Sequence, residues 1–150
     1  MSSVNHVVNK KQLQFILSSP NGPTAKDLLK RGARVESRAK RNLAGTSGRP
    51  RRINTGLLRA SVSTTLVVRP DGLAVRVGSG LYYARYVHDG TGLYGPKHVV
   101  IRPKFGKVLV FPSKTHGAKK GKFAGKVVVR FVRGMKPNPF LKDALPAFHA

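Results

Sequence analysis

Residues 62–77 read Val-Ser-Thr-Thr-Leu-Val-Val-Arg-Pro-Asp-Gly-Leu-Ala-Val-Arg-Val. Val62, Thr64, Leu66 and Val68 recur at every second position, the period of a β-strand. Pro70-Asp71-Gly72 then makes a turn, because proline presets φ and glycine accepts φ > 0. Leu73, Val75 and Val77 resume the alternation. An antiparallel hairpin is predicted, and such a hairpin must bury one face against something else.

The partner lies upstream. Leu28, Gly32, Val35, Ala39 and Leu43 step by four, three, four and four, which is one narrow helical stripe. Thr24, with Asp27 three residues on, reads as a capping box, and Gly45 as the stop. Small residues at 32 and 39 allow close approach to a sheet. Lys30, Arg31, Arg34, Arg38 and Arg41 fall largely off the stripe. Before this helix, Pro20-Asn21-Gly22-Pro23 is a turn cluster. Leu13, Phe15 and Leu17 alternate with Gln14 and Ile16 and read as a short strand.

Downstream, Leu57–Ala60 reads as a helical turn, Gly78-Ser79-Gly80 as punctuation, and Tyr82–His88 as a short helix with Tyr82, Tyr83 and Tyr86 packing the core. Asp89–Gly92 is a loop. Lys107–Phe111 and Lys126–Arg133 read as the third and fourth strands of the same meander. Pro137 and Pro139 lead into a final helix at 140–148. The expected class is α+β: an antiparallel sheet of about four to five strands, packed by one long basic helix, with short helices near 82–88 and 140–148. One domain over 1–150 is expected. Residues 1–11 read as an N-terminal arm, and 44–56 and 112–125 as long basic loops.

Charge narrows the function. The chain has 29 Lys+Arg against 5 Asp+Glu, a formal net charge of +24. Residues 26–52 hold ten Lys/Arg and two acids, and residues 97–136 hold twelve and none. A folded domain this basic works beside a polyanion, and one-signed charge is unlike an ordinary solvated surface, which mixes signs. Cysteine is absent, so disulfides and thiolate metal sites are excluded; this fits a reducing cytoplasm. No signal peptide is visible. No apolar run nears the ~20 residues of a membrane span, so no membrane partner is expected.

Catalytic equipment is sparse. The acids are Asp27, Glu36, Asp71, Asp89 and Asp143, with no pair at the spacing a two-metal site uses. The histidines, at 6, 88, 98, 116 and 149, show no metal-ligand spacing. His88 beside Asp89 reads as a hydrogen bond at a helix end. Gly78-Ser79-Gly80 lacks the lysine of a phosphate loop. No helix-turn-helix, zinc finger or ribonucleoprotein signature is present, so any DNA contact is expected on the backbone. No catalytic residue, cofactor or metal is expected.

Four segments, in order, resemble a known family. They are Ala33–Leu43; Thr55-Gly56-Leu57-Leu58-Arg59-Ala60-Ser61-Val62; Val77-Gly78 with Tyr82–Thr91; and Pro137–Leu145. The family is that of tail-completion or neck proteins of long-tailed phages, and the match covers about residues 25–148. The chain departs from it at His88-Asp89, where a glutamate and an aromatic are usual, and in the Lys-rich stretch 113–126.

The resemblance implies a structural virion protein of the head–tail junction, assembled in the host cytoplasm. Such proteins form a ring, commonly a hexamer, between the head-side connector or head-closure protein and the tail terminator or tail tube, around the genomic DNA. It implies that Arg31, Arg34, Arg38, Arg41, Arg49, Arg51, Arg52, Lys119, Lys120 and Lys122 face DNA or the lumen. Asp89, Thr91, Pro139 and Phe140 would serve the subunit interface, the last two also anchoring the C-terminal helix. Two alternatives stand beside it: a free, sequence-independent nucleic-acid-binding protein and a tail terminator ring. A nuclease would need His88 and Asp89 in a convergent cluster.

Overall fold

The computed structural model describes residues 9–45, 56–112 and 125–149. The chain divides into two compact units, Met1–Tyr82 with Phe140–Ala150, and Tyr83–Pro139.

The first unit opens with two consecutive helices, α1 (Lys10–Ser18) and α2 (Pro23–Ala44). The strand expected at 13–17 is therefore helix. Asn9 caps it, its side-chain oxygen accepting from the Gln12 N–H at 3.2 Å, and Lys10, Lys11, Gln12 and Gln14 are good helix formers. Leu13, Phe15, Ile16 and Leu17 are each more than 40% exposed. Thr24 caps nothing: Gly22 is the N-cap, and Pro23 takes the first helical position, where a missing N–H costs nothing. The stop is as expected, with Gly45 left-handed at φ 84.

The apolar stripe of α2 buries Ala25, Gly32, Val35, Ala39 and Leu43. It lies against the expected hairpin, β1 (Val62–Arg69) and β2 (Gly72–Ser79), in a register that pairs Leu66 with Val75 and Arg69 with Gly72. A short helix α3 (Leu57–Ser61) precedes it. Gly32 marks a close approach: a Cβ there would sit 2.6 Å from both Thr64 Cγ2 and Val75 Cγ1. Gly32→Leu is expected to lower stability by about 2 kcal/mol through overpacking, measured as a lowered urea midpoint with unchanged slope.

Phe140 closes this core at 0% exposure, and its carbonyl accepts from Asn42 Nδ2 at 3.1 Å. The final helix is a 3-10 helix, Lys142–Phe148. Pro146 lies inside it; its ring would clash with the carbonyl four residues back in an α-turn, which disfavours the α form there.

The second unit holds α4 (Ala84–Asp89), a 3-10 turn at Gly92–Tyr94, and a separate hairpin of β3 (Leu109–Pro112) and β4 (Lys126–Val129). The expected sheet of four to five strands is thus two sheets of two strands each among the described residues. β3 pairs with β4, Leu109 opposite Val129, rather than extending the first hairpin. β4 stops at Val129, and Val132 continues only as a single bridge to Ile101. Gly134, at φ 93, turns the chain there. The Thr91 N–H then donates to the Met135 carbonyl at 2.9 Å, and the Leu93 N–H to that of Arg133 at 2.7 Å.

The tyrosines do not form a core. Tyr82 is 84% exposed and Tyr86 54%, with Tyr83 half-buried. Only Ala84 of α4 is buried, because a helix of six residues offers one small inward position.

Candidate functional site

At 3.6 residues per turn, Lys26, Lys30, Arg34, Arg38 and Arg41 fall within an arc of about 120° on α2. All five are exposed, and the arc lies opposite the buried stripe. Amphipathicity thus puts the hairpin on one side of α2 and a row of cations on the other. Between the cations, Ala33 and Ser37 are too short to project. With Lys30, Arg34, Arg41 and Ala147 they line a shallow groove of about 530 Å³.

Of the cations expected to face DNA, Arg34, Arg38 and Arg41 lie on this row. Arg31 sits beside it and is engaged within the chain. Its Nε donates to Asp27 Oδ2 at 2.8 Å, and its guanidinium carbon lies 5.8 Å from the Phe148 ring centre. Lys26 and Lys30 belong to the row although neither was among the expected DNA-facing residues. The signal was in the sequence: steps of four from 26 to 30 to 34 to 38 follow one helical face. Arg49, Arg51, Arg52, Lys119, Lys120 and Lys122 lie outside the described residues, as do most of the two basic loops, at 46–55 and 113–124.

The acids of α2 are neutralised locally. Glu36 accepts from Lys40 Nζ and, at 2.7 Å, from Thr64 Oγ1 on β1. The Lys40 hydrogen bond, then that of Thr64, holds its carboxyl below its ordinary value of 4.5. A depressed folded pKa means the stabilisation is fully present above the unfolded value and is lost as pH falls through the folded one. Thr64→Val is expected to cost about 1–2 kcal/mol near neutral pH. That difference from the parent protein should shrink as pH is lowered below 4.5, read by denaturant unfolding across pH.

In the second unit, His88 Nδ1 lies 2.7 Å from Asp89 Oδ1, and Arg85 Nε lies 3.5 Å from Asp89 Oδ2. His88 first, and Arg85 after it, hold the Asp89 carboxyl below its usual range. The arrangement is a charge-paired helix end, followed by Gly90 at φ 80. Among the described residues, no three His, Asp or Glu side chains come close enough to hold a metal ion, and no helix is long and apolar enough to cross a membrane.

The four expected interface residues are not alike. Asp89 is engaged by His88 and Arg85, and the Thr91 hydroxyl accepts from the Met135 N–H at 3.0 Å; both side chains keep partial exposure, as does Pro139. Phe140 is wholly inside the first unit and has no surface to offer another subunit. It anchors the C-terminal helix instead.

Comparison with protein-family models, with curated proteins and with solved structures found no match to the chain.

Proposed function

We propose that this chain is a structural protein of the phage neck, a tail-completion or head–tail connector subunit. Six copies form a ring around the DNA channel, between the head-side connector and the tail terminator or tail tube. The observation that carries the reading is the row Lys26, Lys30, Arg34, Arg38 and Arg41, exposed on the face of α2 opposite the hairpin. A ring repeats such a row around its axis and sets a positive potential beside a polyanion without reading bases. The segments that carry the family resemblance support it as well, since they fall on α2, α3 into β1, α4, and the approach to the C-terminal helix. In this reading the chain is not an enzyme; Asp89 serves the helix end and not a reaction.

Electron microscopy of a lysate in which this gene is stopped by a nonsense codon tests the proposal. Filled heads beside unjoined tails of normal length are expected. Overlong tails would make the protein a tail terminator, and intact joined particles would overturn the neck reading.

The same row favours one other reading, a free binder of nucleic acid. Changing Lys30, Arg34, Arg38 and Arg41 together to glutamine removes four phosphate contacts at most. The slope of log K against log salt on duplex DNA should become shallower by about 3–4. A free binder would show this as a monomer or dimer on DNA, whereas a neck subunit appears at fixed copy number in virions.

A further inference from the structure

We propose that the first unit carries a docking groove for an extended, acidic peptide segment with apolar anchors, supplied by a protein other than this chain. The inference stands on the geometry of that unit, whether or not the neck reading holds.

The groove is a cleft of about 600 Å³ along the β1–β2 hairpin. Val35, Val75, Leu141, Leu145 and Phe148 form its apolar lining, and Arg69, Arg76 and Lys142 stand at its edge. Those three side chains are exposed and make no ion pair or hydrogen bond among the described residues. Among the described residues no carboxylate lines the cleft. Leu145 is 60% exposed, which leaves an apolar anchor point open beside unpaired cations. Concave apolar lining with a few charged groups at its margin is how protein surfaces hold specific ligands.

The occupant follows by elimination. DNA is a poor fit, because phosphates gain nothing from an apolar floor; moreover Val35 lies about 120° around α2 from the middle of the cationic row. A second copy is a poor fit too. This chain has 5 acids in 150 residues and a charge of +24. Asp27, Glu36 and Asp89 are already paired, and no two acids are closer in sequence than Asp27 and Glu36. The shape favours a peptide over a compact ligand. Ala74, Val75, Arg76 and Val77 all border the cleft, and because alternate residues point to opposite faces, the cleft runs along β2 itself. Among the described residues that sheet has only two strands, so each strand has one edge without a strand partner, the feature that strand addition by an extended segment uses.

The test is selection of a display library of random twelve-residue peptides on the full chain, then titration of the selected peptide, fluorescently labelled. Acidic residues interleaved with Leu, Ile or Phe are expected. Binding should weaken at least tenfold in the Arg69→Gln, Arg76→Gln, Lys142→Gln triple variant and in Leu145→Asp. Leu145→Asp should leave duplex DNA binding within twofold, and the four-glutamine variant of α2 should keep peptide affinity. All altered side chains are exposed, and thermal melting checks that each variant folds. Failure to select any peptide, selection of acidic peptides without apolar positions, or affinity unchanged by Leu145→Asp would each overturn the proposal. One-to-one binding of sodium oleate that displaces the selected peptide would overturn it in favour of a small amphiphile.

Discussion

Phe140→Ala is expected to destabilise the first unit by about 3–5 kcal/mol, the cost of emptying a fully buried aromatic site. Phe140 is the largest fully buried side chain described. It stands where the chain returns to α2, and its own carbonyl takes the Asn42 amide at 3.1 Å. Truncation therefore leaves a cavity and loosens the anchor of a buried polar group. With urea slopes of about 1–3 kcal/mol/M, the midpoint should fall by more than about 1 M, a shift that urea denaturation followed by circular dichroism resolves. Phe105→Ala is the control: that ring is 82% exposed, and its loss should move stability by less than about 0.5 kcal/mol. Equal midpoints for the two variants would refute the assignment of Phe140 to the core.

Gly134→Ala is expected to be comparably severe in the second unit, about 4 kcal/mol when strain and lost hydrogen bonds combine. At φ 93 the backbone is left-handed, which costs an L-residue about 1–2 kcal/mol. Worse, the new Cβ would overlap the Thr91 carbonyl oxygen and lie 2.8 Å from Gly92 Cα. Both obstacles are backbone, and no rotamer change relieves them. Separating the segments breaks the pairing of Thr91 with Met135 and of Leu93 with Arg133. Amide hydrogen exchange should report lost protection at Thr91, Leu93 and Met135. Gly106→Ala isolates the backbone term: φ is 86 there, with nothing within 4 Å, so about 1–2 kcal/mol is expected. Similar exchange in the two variants would show that the close approach at Gly134 is not real.

The consequences for function differ between the units. In the first unit, the cationic row and the apolar cleft occupy different sides of α2, so Phe140→Ala should damage both. Gly134→Ala leaves the residues of both surfaces untouched, so the DNA affinity proposed for the cationic row should be unaffected by it.

Some of this protein was written in its sequence. The strict alternation through Val62–Val77, broken by Pro70-Asp71-Gly72, specifies a hairpin because the turn chemistry and the strand period agree locally. The stripe from Leu28 to Leu43 and the stop at Gly45 specify α2 in the same way. The cationic row was legible too, since composition at 3.6-residue spacing sets a helix face before any packing is known.

Other features were settled only by tertiary structure. Leu13–Leu17 is not among them: the segment is compatible with either period, and the local cap at Asn9 decides for helix. β3 and β4 look like continuations of a meander, but strand pairing depends on which edges meet in space, and each found the other. The exposure of Tyr82 and Tyr86, the contact of Arg31 with Phe148, and the burial of Phe140 all depend on neighbours distant in sequence. So does the cleft, whose walls come from α2, the hairpin and the C-terminal helix. Local chemistry determines the elements because it acts between residues a few positions apart. Which faces are left exposed, and hence where a partner can bind, is decided only when segments a hundred residues apart compete for the same apolar surface.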